Sequence, residues 1–269
     1  MNTDALLSHV LKALEVAKAT EEKLKKDSIK ETGTRGYGGD MSLKADVAIE
    51  TAIINYFKKQ KLPFKIVSEE KGVTSIGKPG YFVVIDPLDG SDNYKNRREI
   101  LPYTTTIAVF DALKPSYRDV LIGATLEHHS NAVWYAVRGR GCFLGSPKHR
   151  CRVGKRTKLG SNSFCVIDSS HYENLGVFKR VFRKGHVRDF GSTALHYALL
   201  AEGVIDAYLD VYNHQEELPA GYLLIKEAGG FVTDLKGRDL AGLKYDFNKR
   251  IKLACTSTRG LLNEILGNI

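Results

Sequence analysis

The sharpest chemical signal in the chain is the run Ile85–Asn93 (IDPLDGSDN), which continues the apolar stretch Tyr81–Ile85. A strand this apolar does not end in two aspartates for packing reasons, because burying an unpaired carboxylate is costly. Asp86 and Asp89 stand three positions apart in a tight turn. Pro87 fixes one backbone angle there and Gly90 frees another, so the two carboxylates can converge on one point. Converging negative charges repel unless cations sit between them, and hard oxygen ligands suit Mg²⁺. The same run also reads as a strand-end turn in which Asp89 caps the next element. Upstream, Val67-Ser68-Glu69-Glu70 is a second strand-like stretch ending in acids, and Lys44-Ala45-Asp46 places an acid at the start of a predicted helix. Taken singly, the first is a solvated turn and the second an acid stabilised by the helix dipole.

Together these pieces resemble the inositol monophosphatase family, within the lithium-sensitive sugar-phosphatase superfamily. Its pattern is an acidic pair, then D-P-x-D-G-[ST]-x-N, then a distal W-D-x-A-A-G leading to E-A-G-G. Here the blocks stand as Glu69-Glu70, Asp86 to Asn93, and Glu217-Leu218-Pro219-Ala220-Gly221 leading to Glu227-Ala228-Gly229-Gly230. Gly191-Ser192-Thr193-Ala194 resembles the family's G-[ST]-A-A turn. The resemblance implies that Glu70, Asp86, Asp89 and the Leu88 carbonyl bind metal, and that Asp46 completes a weaker site through water. It implies that the amides of Gly90 and Ser91 hold phosphate oxygens, which agrees with the anion affinity of a helix N-terminus. The family's distal aspartate falls on Glu217 and its tryptophan on Glu216. Glutamate keeps the carboxylate on a longer stem, so Glu217 binds metal from a shifted backbone, reaches it through water, or merely starts a helix.

The chemistry so implied is in-line attack by water on a phosphate monoester, with two or three Mg²⁺ (Mn²⁺ as an alternative). Glu70 and Asp46 orient the water, and the Ser91 hydroxyl assists. Asp210 falls where the family places an acid that binds a substrate hydroxyl. Arg188, Ser192 and Thr193 adjoin the substrate turn, with Arg188 favoured for a second anionic group because a guanidinium suits phosphate. Ser169 and Tyr172 follow a strand end and could reach the same cleft. The GGD…KAD segment and the KEAGG block look like the archaeal branch, whose members act on fructose 1,6-bisphosphate and inositol 1-phosphate as homodimers. The expected partner is therefore a small phosphorylated sugar or polyol. Rival readings are a nucleotide phosphatase acting on 3′-phosphoadenosine 5′-phosphate or NADP, and a catalytically weakened member that binds ligand and acts through a partner.

The elements that must position these residues are read from periodicity. Helices are predicted over 4–29, with Thr3 as N-cap, and over 45–60, separated by a mobile glycine-rich loop at Glu31–Asp40 that closes over the site. Strands are predicted at 64–68, 81–85, 105–110, 120–126 and 131–137, with a turn at 128–131 that leaves His128 and His129 exposed. Beyond residue 145, short strands at 164–168, 187–190, 207–211, 231–233 and 252–256 alternate with helices at 173–183, 192–203, 217–228 and 259–267. The fold class is α+β/α/β. The resemblance implies a layered α-β-α-β-α sugar-phosphatase fold with two sheets and an interfacial active site. The stretch GSPKHR divides an N-terminal metal- and phosphate-binding half, 1–145, from a substrate half, 146–269.

Composition narrows the rest. Hydrophobic residues make up 43% and charged residues 26%, ordinary for a globular protein. No stretch approaches the roughly 20 apolar residues of a membrane span, and the first residues lack a signal-peptide pattern, so a cytoplasmic enzyme is expected. Cys142, Cys151, Cys165 and Cys255 show no CxxC spacing and read as buried thiols. The net charge of +9 is dispersed. The densest basic cluster, 148–158, has no aromatic residue for base stacking, which argues against nucleic acid as primary partner.

Overall fold

Alternation along the strands builds this molecule in layers. The computed structural model describes residues 1–39, 41–97 and 99–269. Helix α1 (Thr3–Glu21) is followed by the hairpin strands β1 (Glu31–Arg35) and β2 (Met41–Leu43), then by α2 (Lys44–Lys59). Next come β3 (Phe64–Ser68), β4 (Gly72–Ser75), β5 (Tyr81–Asp89), α3 (Ser91–Arg97), β6 (Thr104–Phe110), β7 (Val120–Glu127), β8 (Val133–Val137) and β9 (Gly141–Leu144). The remainder runs β10 (Phe164–Ile167), α4 (Tyr172–Val177), α5 (Lys179–Lys184), β11 (His186–Arg188), α6 (Thr193–Glu202), β12 (Ala207–Asn213), α7 (Leu218–Glu227), β13 (Phe231–Asp234), β14 (Ile251–Thr256) and α8 (Arg259–Leu266).

A seven-stranded sheet has the order β4-β3-β5-β6-β7-β8-β9, and a five-stranded sheet the order β11-β10-β12-β14-β13. On β5, Val83 and Ile85 face α1 and α2, whereas Phe82 and Val84 face the central layer with α6 and α7. On β12, Tyr208 faces that same central layer, and Ala207, Leu209 and Val211 face outward toward Phe178, Val181 and Leu261. Residues one apart on a strand point to opposite faces, so each sheet has two buried faces. The result is the expected α-β-α-β-α layering. Helices α6 and α7 lie between the sheets, and Leu218 to Ile225 of α7 are buried without interruption.

Local expectations fail where local chemistry competes. Asn2, not Thr3, caps α1, its side chain accepting from the Ala5 amide at 2.8 Å. That helix stops at Glu21 because the apolar stripe runs out. Residues 22, 23 and 25–27 are exposed, and only a 3₁₀ turn, Lys26–Ile29, continues. The expected loop at 31–40 is strand over Glu31–Arg35, paired antiparallel to β2, and turn beyond it; its Asp40 lies outside the described residues. All four cysteines are free and buried. Among the described residues, no helix is long and apolar enough to cross a membrane.

Leu224 is fully buried in the central layer. Truncation by Leu224→Ala should destabilise the fold by about 2–5 kcal/mol, seen as a lower urea midpoint with an unchanged slope.

Candidate active site

Two aspartates three apart on a regular strand would point to opposite faces. Strand β5 avoids this with a bulge. Asp86 pairs with Thr106 and Asp89 with Thr104, so three steps on β5 oppose two on β6. The extra residue reverses the parity and turns both carboxylates to one side, the kind of re-aiming that bulges supply beside sites. Asp86 Oδ1 accepts from the Leu88 amide at 2.9 Å, which locks the turn.

Asp89 is held on all sides. It accepts hydroxyl hydrogens from Ser192 and Thr104 and amide hydrogens from Thr193 (3.2 Å) and Ala194 (2.8 Å), the first amides of α6. Gly90 comes next with φ +90°, and a Cβ there would sit 2.9 Å from the Gly191 carbonyl oxygen. Only glycine allows β5 to pass this close to the turn at 191–194. Asn93 completes the clamp, donating to the carbonyls of Pro102 and Phe190.

Glu217 immediately precedes α7 and meets these aspartates. One oxygen from each of Asp86, Asp89 and Glu217 lies within 4.8 Å of the others. Burial raises the pKa of Asp86 well above the carboxylate range, and the fields of Glu69, Glu217 and Asp89 add to it. Glu217 is raised by burial and by Asp89 and Glu216. Its Oε2 is buried without a hydrogen-bond partner, as is Oδ1 of Asp46. Hard oxygen donors, mutual repulsion and orphaned buried acceptors form a donor set that fits a divalent cation such as Mg²⁺.

The upstream acids divide at the end of β3. Adjacent residues leaving a strand diverge, and Glu69 and Glu70 do so. Glu69 contributes to the field at Asp86, and its own pKa is raised well above normal by burial, then by Asp46 and Glu216. Glu70 accepts the Ser42 hydroxyl hydrogen and contributes to the field at Asp46. The aspartate-facing member of the pair is thus Glu69, where the motif match pointed to Glu70; both line the cleft. Asp46, 4% exposed, is pushed up to about 8, chiefly by burial; the Leu43 amide opposes the shift, and Glu70 and Glu50 add to it.

Glu50 was missed. It is fully buried, and its Oε1 accepts from the amides of Glu70 and Lys71, each at 3.0 Å, fixing the turn that presents the acidic pair. The available signal was its place one helical turn after Asp46. The hairpin loop also leans on this turn. Tyr37 and Gly38 amides donate to the Glu70 and Glu69 carbonyls, and a Cβ on Gly36 would lie 2.7 Å from Glu70 Oε2.

Two confluent cavities, of about 590 and 230 Å³, share Glu69, Leu88, Ser91, Thr193 and Glu217 as walls. Asp210 lines the larger, its Oδ1 accepting from Asn174 and the Tyr212 amide. Gly90 lines the smaller. Ser170 and His171 line the cleft, whereas Ser169 and Tyr172 are not among its walls. Ser192 is 1% exposed and turned into Asp89, so it holds a carboxylate and does not face the cleft. Arg188 is exposed on edge strand β11, donates to the Val187 carbonyl, and lines neither cavity. His129 is exposed as expected, but His128 is buried. It stacks on Tyr103 and bonds the Thr105 hydroxyl, which in turn donates to the Pro87 carbonyl. Burial pulls its pKa down to about 3, so it buttresses the aspartate turn as a neutral ring.

The sequence profile described as the inositol monophosphatase family matches residues 4–268. The chain belongs to the inositol monophosphatase family. Enzymes of this family are metal-dependent phosphoric monoester hydrolases, in keeping with the carboxylate cluster. A fructose-1,6-bisphosphatase/inositol-1-monophosphatase of Thermococcus kodakarensis is 31% identical over 94% of both chains. A bifunctional NADP phosphatase/NAD kinase of Methanococcus maripaludis is 30% identical over 91% of this chain, which spans only 46% of that longer protein. A solved inositol monophosphatase–fructose 1,6-bisphosphatase superposes with TM-score 0.80 at 26% identity, covering 100% of both chains. The extragenic suppressor protein of Bartonella henselae, at 22% identity and TM-score 0.79, shares the fold over 98% of both chains.

Two outcomes are expected of this site. An acid whose folded pKa is raised penalises the metal-free fold from its unfolded pKa upward. For Asp46 that window runs from about 4 to about 8. The metal-free protein should therefore lose thermal stability as pH rises through this window, and Mg²⁺ should raise Tm more at pH 8 than at pH 5, as differential scanning fluorimetry would read. Gly36→Ala should lower kcat while leaving Tm nearly unchanged, since it displaces an exposed hairpin against Glu70; unchanged turnover would remove the hairpin from the site.

Proposed function

We propose that the chain hydrolyses a phosphate monoester on a small sugar or polyol, with fructose 1,6-bisphosphate and inositol 1-phosphate as the leading substrates. The observation that carries this is the convergence of Asp86, Asp89 and Glu217 within 4.8 Å, beside the helix start at Gly90–Ser91. Asp86, Asp89, Glu217, Glu69 and the Leu88 carbonyl would hold Mg²⁺, two or three ions in all, with Mn²⁺ as a substitute. Asp46 and Glu70 would complete a further site on the hairpin side. The bound cations supply positive charge against the phosphoryl oxygens and acidify water.

The chain's own groups supply the rest. The amides of Gly90 and Ser91 receive phosphate oxygens at a helix start. Asp46 Oδ1 has no hydrogen-bond partner and can accept a proton from the attacking water; Glu70, held by Ser42, orients that water with the Ser91 hydroxyl. Asp210 and Thr193 face the sugar from the cleft wall. On this reading the working form is a cytoplasmic homodimer with no primary nucleic-acid partner.

One observation keeps a second substrate in view. The larger cavity, about 590 Å³, has room beyond a monosaccharide phosphate, and the Methanococcus relative carries an NADP phosphatase name. A phosphate-release panel on fructose 1,6-bisphosphate, inositol 1-phosphate, 3′-phosphoadenosine 5′-phosphate and NADP, with Mg²⁺ and with chelator, separates the readings. Release from the sugars only, and only with Mg²⁺, is expected; release from NADP alone would replace the sugar reading. Asp86→Asn should cost at least about a hundredfold in kcat/KM, the upper effect of changing even an outer-shell metal partner. Glu217→Asp should also lower the rate, since the backbone here is set for the longer side chain. A large gain would instead mark a weakened site.

A further inference from the structure

We propose that Arg250 reads a second anionic group on the substrate, other than the scissile phosphate; the inference rests on the sugar-phosphate reading above. The larger cavity is a hostile place for a second phosphate. Among the described residues, its walls carry eight acidic side chains and only two strong cations, Lys95 and Arg250. Lys95 is engaged with Glu31 at 2.6 Å. Arg250 has no carboxylate within ion-pair distance among the described residues. It is half-buried, and its guanidinium carbon stands 6.0 Å from the centre of the Tyr212 ring.

Its placement is fixed by the sheet. Asn213 on β12 pairs with Ile251 on β14, which sets Arg250 beside His214 at the cleft. Gln215 donates to the Lys249 carbonyl at 2.9 Å and pins the preceding residue. A planar guanidinium steadied by an aromatic ring loses little freedom on gripping a phosphate bidentately, and lysine cannot reproduce that fork. Arg188, the other arginine suited by sequence to this task, stays outside the cleft. A bisphosphate therefore has a guanidinium available for its distal phosphate, whereas a monophosphate leaves that guanidinium unused.

The test compares fructose 1,6-bisphosphate with fructose 1-phosphate, which share a scissile group and differ in the distal phosphate. Wild type, Arg250→Met and Arg250→Lys are assayed with Mg²⁺. The wild-type kcat/KM ratio should favour the bisphosphate. Arg250→Met should cut that ratio about tenfold to a hundredfold, the range for losing a hydrogen bond to a charged group, and mainly through KM. Arg250→Lys should restore part of it. A ratio unmoved by Arg250→Met, with activity on both sugars, overturns this inference alone. A wild type inert on both sugars overturns the substrate reading and this inference with it, and that result is visible before any variant is made.

Discussion

Charge repulsion among buried and half-buried carboxylates is the constraint around which this molecule is arranged. Asp86, Asp89, Glu217 and Glu69 occupy one wall of a cleft between two sheets, and each has its pKa pushed upward, first by burial. Nothing in packing favours such an assembly, since removing a charge from water costs several kcal/mol even after relaxation. It persists because surrounding elements over-determine it. The β5 bulge sets the parity of the aspartates, the first amides of α6 and two hydroxyls hold Asp89, and Glu50 fixes the turn after β3. A local instability is retained where divalent binding turns it into affinity.

The layered core supplies the stiffness this requires. Strands β5 and β6 are buried on both faces, so the ends that carry Asp86, Asp89 and Thr104 cannot drift without disturbing two hydrophobic layers. The distal motif has a mechanical role as well. Glu227, the acid of E-A-G-G, accepts from the amides of Gly139 and Gly141 and ties the end of α7 to the β8–β9 turn. The glutamate at the other end of the same helix enters the carboxylate cluster. One helix thus links the rim of the large sheet to the site.

The legibility of this arrangement in the sequence tracked the range of the forces involved. Apolar alternation reported both sheets and most helices, because burial on a fixed face is a local pattern with a global cause. The acids of the central turn were legible because an apolar strand ending in two carboxylates asks for more than a capping turn. Glu69 against Glu70 was not legible: which of two adjacent acids turns inward depends on where β3 stops. The role of His128 was hidden for a similar reason, since a histidine after a strand reads as exposed unless Tyr103 and Thr105 are known to close over it. Motif order favours Arg188, and Arg250 carries no signal without the register of β12 on β14, a contact across 38 residues of chain between Asn213 and Ile251. The hairpin at 31–43 looked like free loop because its glycines signal mobility, while its pairing and its grip on the Glu69–Glu70 carbonyls are tertiary.

The glutamate that stands for the family's distal aspartate has a physical reason in the way helices meet the cleft. Three helices, α3, α6 and α7, begin there, and a helix start carries about half a positive charge in its unpaired amides. The start of α6 is spent on Asp89. That of α3, behind Gly90, opens on the smaller cavity. Glu217 stands at the N-terminal boundary of α7 with near-helical dihedrals (φ −92°, ψ −26°), so its backbone already belongs to the helix and cannot step forward to bring a short side chain closer. A longer stem reaches the aspartates from that fixed position, within 4.8 Å of both. The extra methylene is then what lets a carboxylate anchored at a helix start stand within 4.8 Å of both aspartates.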